Sequence, residues 1–397
     1  MSVESRTLNA GVISLGWMGR LHSRSYLAVK HHFSDLPVNV VLHTAADPDE
    51  GGRRHATEAL GFLHAVSDYK ELLANPDIDV VSICSPNFLH HEIALAAIEA
   101  GKPFWIEKPM GRSATESKEI AQGANEAGLV TSVGFNYRHV PAIAEARRLV
   151  HAGEIGTITN VRVSFKADYS ADPLGALTWR FKTELAGSGV LGDLMSHGFD
   201  LAQYIVGKID SVTATNGIFI QQRPLPSAKA ASHFSQGSDD APKGEVENED
   251  YTAVLGRFES GALGVFESSR VAVGPRAEYI VEVYGTRGSL RWNFHRLNEL
   301  EFADTADGYR TIMSGPNFGD FSRFQPGAGT GMGFDNLKAI EAYLFLKSVV
   351  ENKQYAPSVG DGWAAAEVAD AALESAESGQ WVDIKPVDVP TTYGQKL

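Results

Sequence analysis

The chain has 397 residues, 43% of them apolar and 21% charged, with one cysteine and a formal charge of −14. That length supports two domains with sizeable cores, and no apolar run reaches membrane length. The acidic balance disfavours non-specific binding to nucleic acid or anionic lipid, both of which rely on basic patches.

Cys84 is the lone cysteine, so internal disulfides and cysteine metal clusters are excluded. Within Val80-Val81-Ser82-Ile83-Cys84 it reads as a small buried hydrophobe. The opening residues Met1 to Arg6 show no charged region followed by an apolar one, so a cytoplasmic location is expected.

Residues 9–15 read as a short apolar strand that runs into Gly16-Trp17-Met18-Gly19 and then a helix. The pattern Ser14-x-Gly16-x-x-Gly19 is a dinucleotide fingerprint with serine in place of its first glycine. Gly16 would let the backbone approach a pyrophosphate, Gly19 would let helix and strand pack closely, and the helix N-terminus would favour the negative charge. A second strand, 38–46, ends in Asp47; an acid there suits an adenosine ribose and repels a 2′-phosphate, so NAD is expected over NADP. A strand at 79–84 leads through Ser85, Asn87 and His90 into a helix reaching Ala100. Phe104-Trp105-Ile106 then places Glu107, Lys108 and Pro109 at a strand's carboxyl end, where open parallel sheets bind ligands. A helix at 113–127 and a strand at 129–134 complete a doubly wound α/β sheet, giving a dinucleotide-binding domain over 1–136.

Past Asn136 the pattern changes. A helix at 141–152 precedes strands at 157–166, 212–220, 251–258, 262–270, 279–284 and 289–294, with a hairpin turn at Gly285-Thr286-Arg287-Gly288. Short connections of this kind imply a large, open, mostly antiparallel sheet, so 137–397 is expected to be an α+β domain for substrate binding and oligomerisation. Residues 221–250 read as an insertion, either a flexible excursion or an oligomer contact. The glycine-rich loop 314–336 carries Phe318, Phe321 and Phe324 and is either a lid or an ordered surface loop. Helices at 337–352 and 362–378 close the chain and are free to pack back on the first domain.

One predicted helix, 190–204, carries two stripes. Leu191, Leu194, Leu201 and Ile205 form the apolar one; Asp193, His197, Asp200 and Tyr204 form the other. Asp193 and His197 are four residues apart and so face one way, either as a solvated pair or toward a common ligand. No third ligand at suitable spacing completes a metal site.

Taken together, Ser14 to His22, Ser85-Pro86-Asn87-Phe88-Leu89-His90, Glu107-Lys108-Pro109, Gly134-Phe135-Asn136-Tyr137-Arg138, Trp179-Arg180 and Asp193-x-x-x-His197 resemble the glucose–fructose oxidoreductase/inositol dehydrogenase/MocA family over nearly the whole chain. The departures are Ser14 for a glycine and Ser85 for a threonine. The resemblance implies a Rossmann domain, an open-faced sheet domain that builds dimers or tetramers, and oxidation or reduction of a secondary alcohol on a sugar, anhydrosugar or cyclitol. It places Lys108, Asp193 and His197 at catalytic positions. It places Gly16, Trp17, Met18, Gly19, Asp47, Ser85, Asn87, His90, Glu107, Lys108, Asn136, Trp179 and Arg180 about the cofactor, and it implies a cis Lys108–Pro109 bond. Within the family, the run from Gly285 to Trp292 is similar to inositol and levoglucosan dehydrogenases. Lys166, Asp168 and Tyr137 are added as substrate contacts.

The expected chemistry is hydride transfer between a ring carbinol and a nicotinamide. His197 would be the general base, since an imidazole titrates near neutral pH. Lys108 would stabilise the reacting oxygen, and Asp193 would orient a neighbouring hydroxyl; the lysine and histidine roles are interchangeable at this stage. The rival readings are an NAD-dependent glycoside hydrolase acting by transient oxidation, and a non-catalytic NAD or sugar sensor.

Overall fold

The structure, a computed structural model, describes residues 6–226 and 235–395. The first five residues of the N-terminal run and the middle of the 221–250 insertion lie outside the described residues. Six strands form a parallel sheet in the order β3-β2-β1-β4-β5-β6: β1 (Arg6–Ile13), β2 (Val38–Ala46), β3 (His64–Val66), β4 (Val80–Ile83), β5 (Phe104–Ile106) and β6 (Thr131–Val133). Both faces are covered, which is why β4 and β5 are buried throughout and read as continuous apolar runs. The strand order reverses between β1 and β4. Their carboxyl ends therefore open a crevice at the topological switch point, flanked by the Ser14 turn and the loop after Cys84.

The second sheet has nine strands in the order β16-β15-β14-β13-β7-β12-β11-β8-β17. They are β7 (Ile158–Lys166), β8 (Ile209–Gly217), β11 (Tyr251–Phe258), β12 (Leu263–Ser269), β13 (Glu278–Gly285), β14 (Gly288–Asn293), β15 (Glu299–Asp304), β16 (Arg310–Met313) and β17 (Val382–Asp383); β9 (Gln222–Pro224) and β10 (Lys243–Glu245) pair separately as a hairpin. All its neighbours run antiparallel except β7 and β12. Alternation along β7 turns Val161, Val163 and Phe165 into the core, where they meet Phe199, Val190 and Leu191 of the 190–205 helix. Leu255, Leu263 and Val265 of β11 and β12 stay exposed on the other face.

Several elements differ from their sequence expectation. The strand placed at 212–220 runs Ile209–Gly217. The helix placed at 337 starts at Phe334, because the Asn336 side chain accepts the Gly333 N–H at 2.8 Å and caps it one turn early. Phe321 is buried and Phe324 packs on Phe33 and His32, so the 314–336 loop is an ordered surface loop over the first helix. The described part of the insertion is a packed hairpin in which Arg223 is buried. The 190–204 helix opens as a π-helical turn, Leu191–Met195, and becomes α-helical at Ser196–Ile205.

Candidate active site

The turn after β1 is held from two sides. Ser14 sits at φ +71°, the left-handed conformation that a first glycine would adopt freely. Leu15 N–H donates to the Asp47 carboxylate at 2.6 Å, and Asp49 N–H donates to its other oxygen at 2.8 Å. Asp47 thus ties the end of β2 to the glycine turn. A Cβ on Gly19 would lie 1.9 Å from the Ser14 carbonyl oxygen, which fixes glycine there. A Cβ on Gly16 would meet nothing within 4 Å, and Gly16 caps the helix Trp17–His32 with no side-chain bond. The first-turn amides therefore face open space, as an anion cradle requires.

A cavity of about 520 Å³ extends from this turn toward the second sheet. Its lining includes Ser14, Gly16, Trp17, Met18, Ser85, Asn87, His90, Glu107 and Asn136, together with Lys108, Tyr137, Trp179, Arg180, Asp193 and His197. Lys108, at a cis peptide with Pro109, donates from Nζ to the Asp193 backbone carbonyl at 2.6 Å and to its carboxylate at 3.1 Å. Tyr169 O–H donates to the second Asp193 oxygen at 2.6 Å, and Arg180 lies 3.6 Å from the first. Burial alone would raise the Asp193 pKa; Lys108, Arg180 and the tyrosine hydroxyl overcome it and hold the carboxylate well below its usual range. His197 is buried with its ring 4.7 Å from that of Tyr137. Burial, reinforced by Lys108, lowers its pKa well below 6.5 and keeps the imidazole neutral at pH 7. Three polar atoms of lining residues, Ser85 Oγ, Asn136 Nδ2 and His197 Nδ1, are buried without a protein partner. Groups of this kind are satisfied by a polar ligand.

Behind Lys108 runs a buried polar chain. Lys338 Nζ donates to Glu107 Oε1 at 2.5 Å and lies 2.8 Å from Glu341. His22 bonds the same Glu107 oxygen at 2.9 Å and Ser82 Oγ at 3.1 Å while stacking on Trp105. Burial lowers the His22 pKa to about 4, so the neutral ring donates to Glu107 and accepts from Ser82. His90 bridges the Ser85 and Pro109 carbonyls, 2.8 Å from each, and so ties two lining loops together.

Two expected substrate contacts are corrected. Lys166 pairs with Glu267 at 2.8 Å and Asp168 with Arg276 at 3.3 Å, and neither lines the cavity. The cause is the period of two along β7: Phe165 faces inward, so Lys166 turns to the opposite side. Asp47 and Gly19 shape the turn without lining the cavity. Asp200, expected on the Asp193 stripe, points away into a separate cluster with Arg138. Sequence reasoning missed Phe165, Tyr169, Phe334 and Lys338. Lys338 did leave a signal, a lysine–glutamate pair at i, i+3 inside the apolar run Leu337-Lys338-Ala339-Ile340-Glu341. Among the described residues no cluster of His, Cys, Asp or Glu forms a metal site, and no helix is long and apolar enough to cross a membrane.

Two family models match this arrangement: residues 8–135 fit an oxidoreductase family's NAD-binding Rossmann fold, and residues 143–291 fit the GFO/IDH/MocA C-terminal domain. The chain belongs to the GFO/IDH/MocA oxidoreductase family. As a member, it is an enzyme whose first domain binds NAD. Levoglucosan dehydrogenase of Pseudarthrobacter phenanthrenivorans is 38% identical over 387 residues, spanning 96% of this chain and 99% of that one. Myo-inositol 2-dehydrogenase of Thermotoga maritima is 25% identical, spanning 96% and 98%. A solved levoglucosan dehydrogenase in complex with NADH and levoglucosan has a TM-score of 0.90 at 36% identity, covering 96% of this chain and all of that one. This GFO/IDH/MocA oxidoreductase thus aligns over 96% of its length with sugar and cyclitol dehydrogenases.

Proposed function

We propose that the protein oxidises a secondary hydroxyl of a compact sugar ring, an anhydrosugar such as levoglucosan foremost, with His197 as general base. The observation that carries this reading is the meeting of Lys108, Asp193 and neutral His197 in one cavity whose lining also includes the aromatic rings of Phe165, Tyr137 and Phe334. Aromatic faces suit the apolar face of a rigid ring, and the polar cluster suits its hydroxyls. The levoglucosan dehydrogenase likeness favours an anhydrosugar over a cyclitol.

NAD, when bound, supplies the hydride acceptor. The Ser14–Gly19 turn would hold its phosphates, Asp47 would take the adenosine ribose, and Trp17, Met18, Ser85, Asn87, Glu107 and Asn136 would line its path. His197 removes the hydroxyl proton, which its lowered pKa allows at neutral pH. Lys108, pinned by Asp193, donates to the reacting oxygen and stabilises the charge that develops there. Asp193 shares its carboxylate between Lys108, Tyr169 and a neighbouring substrate hydroxyl. Arg180, 3.6 Å from Asp193, would lie within reach of the substrate as well as of the cofactor.

The exposed Leu255, Leu263 and Val265 on the outer face of the nine-stranded sheet support a homodimer or homotetramer built there. Dependence on NAD fits a cytoplasmic site of action. The test is NADH formation from NAD⁺ and from NADP⁺ against anhydrosugars, aldoses and inositols. NADH with an anhydrosugar as the preferred substrate is expected; no NADH from any ring polyol overturns the proposal.

A further inference from the structure

The described part of the 221–250 insertion grips the loop that carries Tyr169 and Arg180 of the cavity lining. That loop, residues 168–182, carries Tyr169 and Arg180, the two side chains that converge on Asp193 with Lys108. Its own regular structure is one short 3-10 turn, Trp179–Phe181, so something else must hold its shape. Arg223, on the first strand of the hairpin, is buried and donates to the Ser170 carbonyl at 2.5 Å and the Asp172 carbonyl at 2.8 Å, the residues just after Tyr169. Leu177 N–H donates to the Pro224 carbonyl at 2.7 Å.

The other limb of the loop is held from the insertion's far end. Asn248 Nδ2 donates to the Arg180 carbonyl at 2.9 Å, and Glu247 N–H donates to the Phe181 carbonyl at 2.9 Å. Arg270 is locked by Asp250 at 2.8 Å and by Asn248 at 3.0 Å, and accepts the Ser170 N–H at its carbonyl. Both guanidinium groups stack on the Phe181 ring, with their carbons 4.4 Å (Arg223) and 4.6 Å (Arg270) from its centroid. Phe181 directly follows Arg180 in the chain, so the ring acts as a peg between the two arginines.

We propose that this insertion is the enzyme's substrate-selectivity element: Arg223, through Phe181 and the 168–182 loop, positions Tyr169 and Arg180 against Asp193 and so decides which ring polyol fits. Arg223 is a positioning residue here. Among the described residues none of its contacts reaches the Ser14–Gly19 turn, so its effect falls on substrate recognition. The inference rests on the ring-alcohol oxidation proposed above.

The test uses the full-length enzyme and Arg223→Met, which keeps the aliphatic stem and removes the donors. KM and kcat are measured for anhydrosugar, aldose and cyclitol substrates, with NAD⁺ affinity read separately by tryptophan fluorescence. KM for the preferred substrate should rise about tenfold or more, the scale of a lost charged hydrogen bond. NAD⁺ Kd should stay within about twofold, and the preference among ring types should flatten. Combining Arg223→Met with Tyr169→Phe should cost less than the product of the two single effects, because both act through one hydroxyl. If Arg223→Met does not fold, Phe181→Leu removes the peg while leaving the carbonyl contacts and is expected to give the same pattern. Substrate ranking unchanged in the variant that folds, or NAD⁺ Kd rising in step with KM, overturns the inference alone. An unmodified enzyme that turns over no ring polyol overturns the function and the inference together.

Discussion

Two carboxylates on one helix, Asp193 and Asp200, show how differently a protein can keep a buried charge. Asp193 retains a quarter of its side-chain surface and divides its oxygens among Lys108, Arg180 and Tyr169, none of them in a bidentate clasp. Asp200 is 2% exposed and is gripped by Arg138 through two guanidinium nitrogens, with Tyr393 O–H 3.1 Å away. Arg138 also reaches Asp361 and Thr392, near the end of the described chain. The first carboxylate can exchange partners with a ligand. The second is bonded at both oxygens by buried partners and serves to lock the helix to the C-terminal segment. Proximity along a helix therefore says little about shared purpose.

The contrast is most sharply broken at His197. His197→Ala should lower kcat by about 10²–10⁴-fold, the usual cost of losing a general base, with the thermal midpoint little changed. Near-normal turnover at neutral pH would remove the imidazole from the chemistry. Arg138→Leu should do the reverse. Leaving Asp200 buried and unpaired should destabilise the fold by about 3–5 kcal/mol, measured by denaturant unfolding, while the folded fraction keeps its kcat. A loss of kcat without a loss of stability would erase the distinction between the two clusters. Asp193→Asn comes next. It weakens the hold on Lys108 and Tyr169 by about 1.5–3 kcal/mol of charged hydrogen bonding, so kcat/KM should fall at least tenfold with stability nearly unchanged.

The sequence made the first half of this site readable and the second half only partly so. Glu107-Lys108-Pro109 and the Ser14–Gly19 turn are contiguous and sit at strand ends, where backbone geometry alone sets their position. The split between Asp193 and Asp200 was not legible, because the π-helical turn at Leu191–Met195 carries an extra residue and shifts the stripe drawn at α-helical spacing. Lys338 and Tyr169 reach the cavity by long-range packing of a C-terminal helix and an irregular loop, and neither leaves a periodic signature. The inward residue of β7 required knowing the register. With Phe165 inside, Lys166 had to be outside.

A pH profile sharpens the comparison more gently. A general base works only when unprotonated, and the His197 pKa is lowered well below 6.5 by burial and Lys108. The acid limb of kcat/KM for alcohol oxidation should therefore lie well below pH 6.5, with no loss between pH 7 and 6.5 from this group. Removing the neighbouring ammonium in Lys108→Met should move that limb upward in whatever activity remains. A limb centred at or above 6.5 in the unmodified enzyme would mean that His197 is not the titrating base.

The smallest effect concerns Ser14, on the cofactor side, where backbone rather than charge does the positioning. A non-glycine residue at φ +71° carries a penalty of roughly 1–2 kcal/mol, and glycine would relieve it. Glycine also frees the unfolded chain, at a cost of about 0.5–1 kcal/mol, so the net gain from Ser14→Gly should be under about 1 kcal/mol. That corresponds to a rise in thermal midpoint of about one to two degrees for a chain of this size. NAD⁺ Kd should stay within about twofold, because the turn is held by Asp47 accepting the Leu15 N–H and by Gly19 packing under the Ser14 carbonyl, both of which the substitution leaves in place. A tenfold weaker NAD⁺ Kd would instead assign the Ser14 hydroxyl a direct bond to the cofactor. The serine would then be a contact in its own right, standing where a glycine would offer only room.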